Sequence, residues 1–400
     1  FMKLTQLSEN VLFQVSERID IQLNFLPLAI SFSEIWNKVW PFLMAILFFG
    51  LIIGLHEFGH FISAKIFGVK VHEFALGMGP AIFKKKKGET QYSLRLFPIG
   101  GYVNMEGEDE ESDDEGSFSK KKWWKKLIIV AAGAIMNLIL GFIFVTVLTC
   151  MDDLIGTTQI HSFYENATSV QYGLEEGDTI KKINGTNIYS SRDINYALQR
   201  DEDGIYDFLV IRDGEKVELK DVHFETKPAE NGHNIIIFDF IIVGVEKNPL
   251  NVITTALGDT VSIARLVWLT LFDLITGHYG LNDLSGPVGT VSIIAETTSQ
   301  AVASGTGFDM IIYIMALISI NVGVFNLLPI PPLDGSRIAN LILPSKYYFT
   351  IMKYERYIMI GMFVLLWTGI LTKPLSLLSG LVSAGFEYIC ELPFRLAGLI

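Results

Sequence analysis

The sequence predicts a polytopic α-helical membrane protein of about four transmembrane helices with one α+β domain inserted between the second and third. Three observations carry this. The mean hydropathy is +0.39 with only 18% charged residues, which is too apolar for a soluble chain of 400 residues. Four windows approach the roughly 20 apolar residues needed to cross a hydrocarbon core. Between the second and third windows hydropathy falls and the chain alternates as strands do.

Taken in order, residues 1–38 form an N-terminal segment without a signal-peptide cleavage pattern, and no function is read from it. The first span runs from about Val39 to Phe67, the second from about Leu127 to Met151, the third from about Met310 to Leu328 and a shorter fourth from about Tyr357 to Leu371. Residues 39–151 thus hold two helices and a loop, and residues 310–400 hold two helices and a C-terminal tail. Pro249 to Thr276 is long enough to span but carries Asp259, Arg265 and Asp273, so it reads as an amphipathic, membrane-associated helix.

Charge orients these elements. Lys84 to Lys87 and the KKKWWKK run from Lys120 to Lys126 lie between spans one and two, and basic flanks favour the cytoplasmic side. The insertion is acidic, and Lys346, Lys353 and Arg356 follow span three, so the N-terminus and the insertion lie outside. The acidic run Glu106 to Gly116 reads as a flexible solvated segment. A net charge of -12 argues against a nucleic-acid partner. Two cysteines, Cys150 and Cys390, are too few for a disulfide framework or a thiolate metal site.

The insertion, residues 155–227, contains a helix-like SRDINYALQRDED and two alternating strands around Asp213-Gly214, a hairpin signal. Its segment from Gly173 to Ile188, GLEEGDTIKKINGTNI, resembles the signature of bacterial PDZ domains. PDZ domains bind extended peptides by strand addition; the resemblance implies a substrate-sampling or size-filtering module, with a rigid spacer as the plainer alternative.

The chemistry concentrates in LHEFGHFISAKIFGVKVHEFALG, residues 55–77. His56 and His60 are four apart and share one helix face, with Glu57 beside them. This is the HExxH arrangement, in which two neutral imidazoles hold zinc and the glutamate is general base toward water activated there. Ionisable groups beside lipid cost several kcal/mol unless they are paired or bound to a metal. The second His-Glu-Phe, at His72, lacks a partner four residues on and lies among glycines, so His72 and Glu73 read as non-ligands. A third ligand is needed. Asp334, in NVGVFNLLPIPPLDGSRI, follows span three on a proline-broken segment at the same membrane side as the histidines. A turn aspartate before Gly335 is the competing reading.

These residues carry a resemblance. HEFGH in a first span and N-x-x-P-x-P-x-L-D-G after a later one are similar to the site-2 protease family of intramembrane metalloproteases, in its RseP/RasP-like branch with a single PDZ domain. GMGP (Gly77 to Pro80), FPIGGYV (Phe97 to Val103), AAGAIMN ending at Asn137, and LSGPVG (Leu284 to Gly289) match as well. Ala134 and Ser336 depart from the family pattern without touching a proposed ligand. The resemblance implies that His56, His60 and Asp334 bind one Zn2+, that Glu57 activates water, and that Asn326 holds the substrate backbone or the developing oxyanion. It implies a membrane-associated β-hairpin region within Val69 to Met105, whose edge a substrate strand extends. It also implies regulated intramembrane proteolysis: hydrolysis of a peptide bond within single-pass membrane proteins, such as anti-sigma factors or remnant signal peptides, in the bacterial cytoplasmic membrane. A metal transporter or sensor and a catalytically silent PDZ scaffold are the alternatives.

Overall fold

The computed structural model describes residues 32–276, apart from 109, 111, 201–202 and 229–233, then residues 307–341 apart from 331, and scattered positions from 347 to 361. The span expected at Tyr357–Leu371 and the LSGPVG segment lie largely or wholly outside the described residues.

Helix α1 covers Phe32–Ile66 and α2 covers Trp123–Met151. Between them β1 (Val71–Lys87) and β2 (Thr90–Met105) pair antiparallel. The inserted domain contributes β3 (Ile155–Phe163), β4 (Thr179–Ile183), β5 (Thr186–Asn187), α3 (Ser191–Arg200), β6 (Ile205–Arg212), β7 (Glu215–His223), β8 (Thr226–Pro228), β9 (Asn234–Ile236) and β10 (Phe240–Val245). Helices α4 (Pro249–Thr276), α5 (Gly307–Asn326) and the short α6 (Asp334–Asn340) follow.

Among the described residues, four helices are long and apolar enough to cross a membrane: Leu43–Ile66, Trp123–Met151, Pro249–Leu269 and Phe308–Asn326. They present unpaired apolar stripes at helical spacing, Leu43, Leu47, Leu51, Phe58 and Ile62 on α1 and Ile128, Ile135, Ile139 and Ile143 on α2, as a lipid-facing surface requires. Their inner faces meet through small residues. A side chain at Gly59 would strike the Ala132 carbonyl at 2.4 Å, and one at Gly141 would strike Ile320 at 2.3 Å. The backbones of α1 and α2 therefore pack at a distance only glycine allows, and Gly141 makes room for the Ile320 side chain of α5. Helix α4 differs from the sequence expectation in one respect. Two of the three charges that argued for an interfacial position do not face water: Asp259 is paired with Arg192 at 3.1 Å, and Arg265 with Asp193 at 2.9 Å, both against the inserted domain.

The domain's six-stranded sheet runs β10-β3-β4-β6-β7, with β5 on β4. Its core includes Ile160, Leu174, Ile180, Ile183, Leu198, Tyr206 and Val210. Asp213 and Gly214 both take positive φ, 52° and 86°, the two-residue turn that matches strand twist. The sheet continues past residue 227, because β10 returns to pair with β3; that long-range ladder has no local hydropathy signal.

Within β1 and β2, Phe74 is registered against both Val103 and Tyr92, and Lys84 against Ser93. The chain is thus folded back twice, at Gly77–Pro80 and at Pro98–Gly100, with φ of 86°, 84° and 88° at Gly77, Gly79 and Gly100. Gly101–Met105 pairs with β1 and lines a cavity.

Candidate metal centre

On α1 the imidazoles of His56 and His60 stack edge-on, with ring centroids 4.9 Å apart, as an i, i+4 pair must. Asp334 reaches them because Pro329, Ile330, Pro332 and Leu333 are not helical and α6 starts at Asp334. Gly335 permits this approach. A Cβ there would lie 2.2 Å from the Leu328 carbonyl oxygen, so only glycine lets α6 fold back onto the end of α5. The Asp-Gly pair is therefore a packing requirement as well as a turn signal.

Asp334 Oδ2 lies 3.1 Å from the Nε2 of both His56 and His60, and the two nitrogens are 3.3 Å apart. The three residues form a group that can hold a metal ion. Donors about 2.0–2.1 Å from a tetrahedral zinc are separated by about 3.3 Å, so the spacing fits. Hydrogen bonding fits as well. His60 Nδ1 lies 2.9 Å from the Ile129 carbonyl oxygen, and donating there leaves Nε2 with a lone pair. A lone pair facing a carboxylate oxygen is repulsive unless a cation lies between them.

His56 is held in turn by Asn137, which is fully buried. Its amide nitrogen lies 3.3 Å from His56 Nδ1, while its Oδ1 has no hydrogen-bond partner. With the amide turned by 180°, Oδ1 accepts from Nδ1–H and the His56 Nε2 lone pair also faces the centre. Gly133 completes the cradle. A Cβ there would meet His60 Nε2 at 2.3 Å and His56 Nε2 at 2.8 Å, so α2 leaves open the space beside the donors.

A cavity of about 440 Å³ opens at this cluster, lined by His56, Glu57, His60, Asp334, the strand Gly101–Met105, Glu108 and Arg337 among others. Glu57 lies against Gly101, where a Cβ would meet its Cγ at 2.8 Å. The structure thus brings four of the five sequence-derived site residues together. Asn326 is not among the cavity's lining residues, and its amide donates to the Val322 carbonyl at 3.0 Å. His72 is paired with Glu106, and Glu73 with Arg95, both away from the cluster.

Gly133, Gly101 and Arg337 fall within motifs that the sequence marks, AAGAIMN, FPIGGYV and the segment around Asp334, but their place at the site, like that of Glu108 and the Ile129 carbonyl, depends on packing.

Residues 44–368 match peptidase family M50. A Clostridium perfringens protein provisionally named a zinc metalloprotease is 33% identical over 81% of this chain and 96% of its own length. The regulator of sigma-W protease RasP of Bacillus subtilis is 28% identical over 81% of this chain and 97% of its own length. The zinc metalloprotease RasP of Bacillus licheniformis is 27% identical with the same coverage. A histidine–histidine–aspartate cluster whose two imidazoles are buried in an apolar helix and a family match over most of the chain converge on one assignment: this chain belongs to peptidase family M50, and is a membrane-integral zinc metalloprotease of the site-2 type.

Proposed function

We propose that His56, His60 and Asp334 are the zinc ligands, and that the protein cuts a peptide bond inside the membrane segment of single-pass membrane proteins. The observation that carries this is the tetrahedral spacing of the three donors in a cavity lined also by the strand Gly101–Met105, which pairs with β1.

When bound, zinc supplies a Lewis acid that polarises the scissile carbonyl and makes water nucleophilic near neutral pH. The chain's own residues do the rest. Gly101–Met105 offers backbone donors and acceptors to an extended substrate, which satisfies the peptide groups that unwinding a membrane helix exposes. Glu57, beside the Gly101 end of that strand, takes a proton from the attacking water and returns it to the departing amine. Asn326 steadies the oxyanion after its amide leaves the Val322 carbonyl and turns toward the cavity.

The folded β1–β2 region reads as membrane-associated. Pro98 lies against Gly50 and Leu76 against Gly54, whereas Lys65 meets Glu89 at 2.6 Å. Gly50 and Lys65 are about 22 Å apart along the helix, so the Pro98 turn sits beside the middle of an apolar span. The inserted domain, read as a PDZ module outside the membrane, admits trimmed substrates and turns away bulky ectodomains, and the metal centre faces the cytoplasm. Anti-sigma factors and remnant signal peptides are the substrate classes in view.

Glu57→Gln is the test. It keeps one zinc per chain and stops cleavage of a single-pass test substrate in detergent; a variant that still cuts removes Glu57 from the chemistry. Wild-type protein that moves zinc across vesicles and leaves the substrate intact would make it a transporter.

A further inference from the structure

Glu108 is 8% exposed, and its carboxylate is met by the Arg337 guanidinium, 229 positions away in the chain. Both line the cavity that holds the metal centre. Arg337 is one helical turn after Asp334 on α6, and Glu108 follows Gly101–Met105 by three residues. The pair therefore closes one end of the groove between that strand and the metal centre. A buried ion pair of this kind adds little to stability, because desolvation offsets its Coulomb gain; its position at the end of a substrate groove calls for another reason.

That end carries charge of both signs, since Glu108 itself belongs to the acidic run Glu106 to Gly116 and basic residues flank the membrane helices beside it. Lys65 lies in the last turn of α1, and Lys120 to Lys126 lead into α2. The same bias that places such residues in the cytoplasm acts on single-pass substrates, whose cytoplasmic flanks are enriched in lysine and arginine. A substrate strand paired along Gly101–Met105 advances about 3.3 Å per residue, and its basic flank arrives at Glu108 a few residues from the bond opposite Glu57.

We propose that Glu108 is a specificity-determining residue that receives a lysine or arginine on the cytoplasmic side of the cut, and that Arg337 occupies its carboxylate while the groove is empty. The inference rests on the proposed function and adds the feature by which the site selects its substrate. Because the incoming cation replaces an existing partner, the preference is a difference between two charge-assisted contacts, about tenfold.

The experiment uses purified full-length protein and three single-pass test substrates identical except for a Lys-Arg, Gln-Gln or Glu-Glu pair at the cytoplasmic flank. Wild-type kcat/KM is expected to be about tenfold higher for the basic than for the neutral substrate. Glu108→Gln brings that ratio close to one, Glu108→Lys inverts it in favour of the acidic substrate, and Arg337→Gln raises it. A ratio unchanged in both Glu108 variants overturns the inference. If single variants fail to accumulate, the double exchange Glu108→Arg with Arg337→Glu, which keeps the ion pair, takes their place: an acidic preference supports the inference and a retained basic preference overturns it. Failure of wild-type protein to cut any of the three overturns the proposed function instead, and this inference with it.

Discussion

Replacing Gly133 by alanine tests the metal centre through a residue that carries no ligand atom. The new Cβ would stand 2.3 Å from His60 Nε2 and 2.8 Å from His56 Nε2, whereas an unstrained contact is about 3.5 Å, so the rings must retreat by roughly 1 Å. Zinc ligands tolerate only about 0.2 Å, and a 1 Å misplacement costs on the order of 100-fold in rate. Gly133→Ala is therefore expected to lose most of its zinc and to cut a test substrate at least about 100-fold more slowly. Helix propensity works the other way, because alanine is favoured over glycine by about 1 kcal/mol in a helix interior. The assay is zinc per chain by elemental analysis, with cleavage measured on the same preparation. Full zinc occupancy and cleavage within threefold of wild type would refute the placement of α2 against the imidazoles.

Gly101→Ala pushes its Cβ into Glu57 Cγ at 2.8 Å and toward the Ala75 carbonyl at 3.0 Å; it is expected to keep zinc yet lose cleavage at least about tenfold, read as kcat falling more than KM rises. Arg265→Leu strands the buried Asp193 carboxylate, which Arg265 meets at 2.9 Å, and should cost about 3 kcal/mol, seen as a lowered midpoint in thermal unfolding and as protease sensitivity of the inserted domain. Burial disfavours the Glu73 carboxylate, but hydrogen bonds from Ser93, Tyr102 and Arg95 outweigh this and hold its pKa at about 2. Its folded value lies below its ordinary 4.5, so it stabilises the β1–β2 region above that pH, and this contribution is lost as pH falls toward 2. Amide exchange in Val71–Met105 should be flat from pH 8 to 5 after correction for intrinsic rates and should accelerate below about 4; Glu73→Gln should remove the acid-side change, and an unchanged profile would deny the carboxylate its role.

Much of this protein follows from short-range physics. Four residues of helix put His56 and His60 on one face, long apolar runs specify membrane helices, and Asp213-Gly214 specifies a tight turn; each is set by bond geometry and solvation within a few residues. Even the failure of the second His-Glu-Phe to resemble a site is local, since no histidine follows His72 at four residues. The structure alone decides what depends on chain segments meeting. Asp334 lies 274 positions beyond His60, and reaches it only because glycines let α1 and α2 pack at backbone contact, make room for Ile320 of α5 and let α6 fold back at Gly335. The same convergence turns Gly133 and Gly101, which have no chemistry of their own, into walls of the centre, and sets Glu108 against Arg337. It also reassigns Asp259 and Arg265 of α4, which look interfacial in sequence because nothing local shows that Arg192 and Asp193 meet them. Periodicity records which face of a segment is apolar. Which segment lies against that face is a property of packing, and the metal centre exists only there.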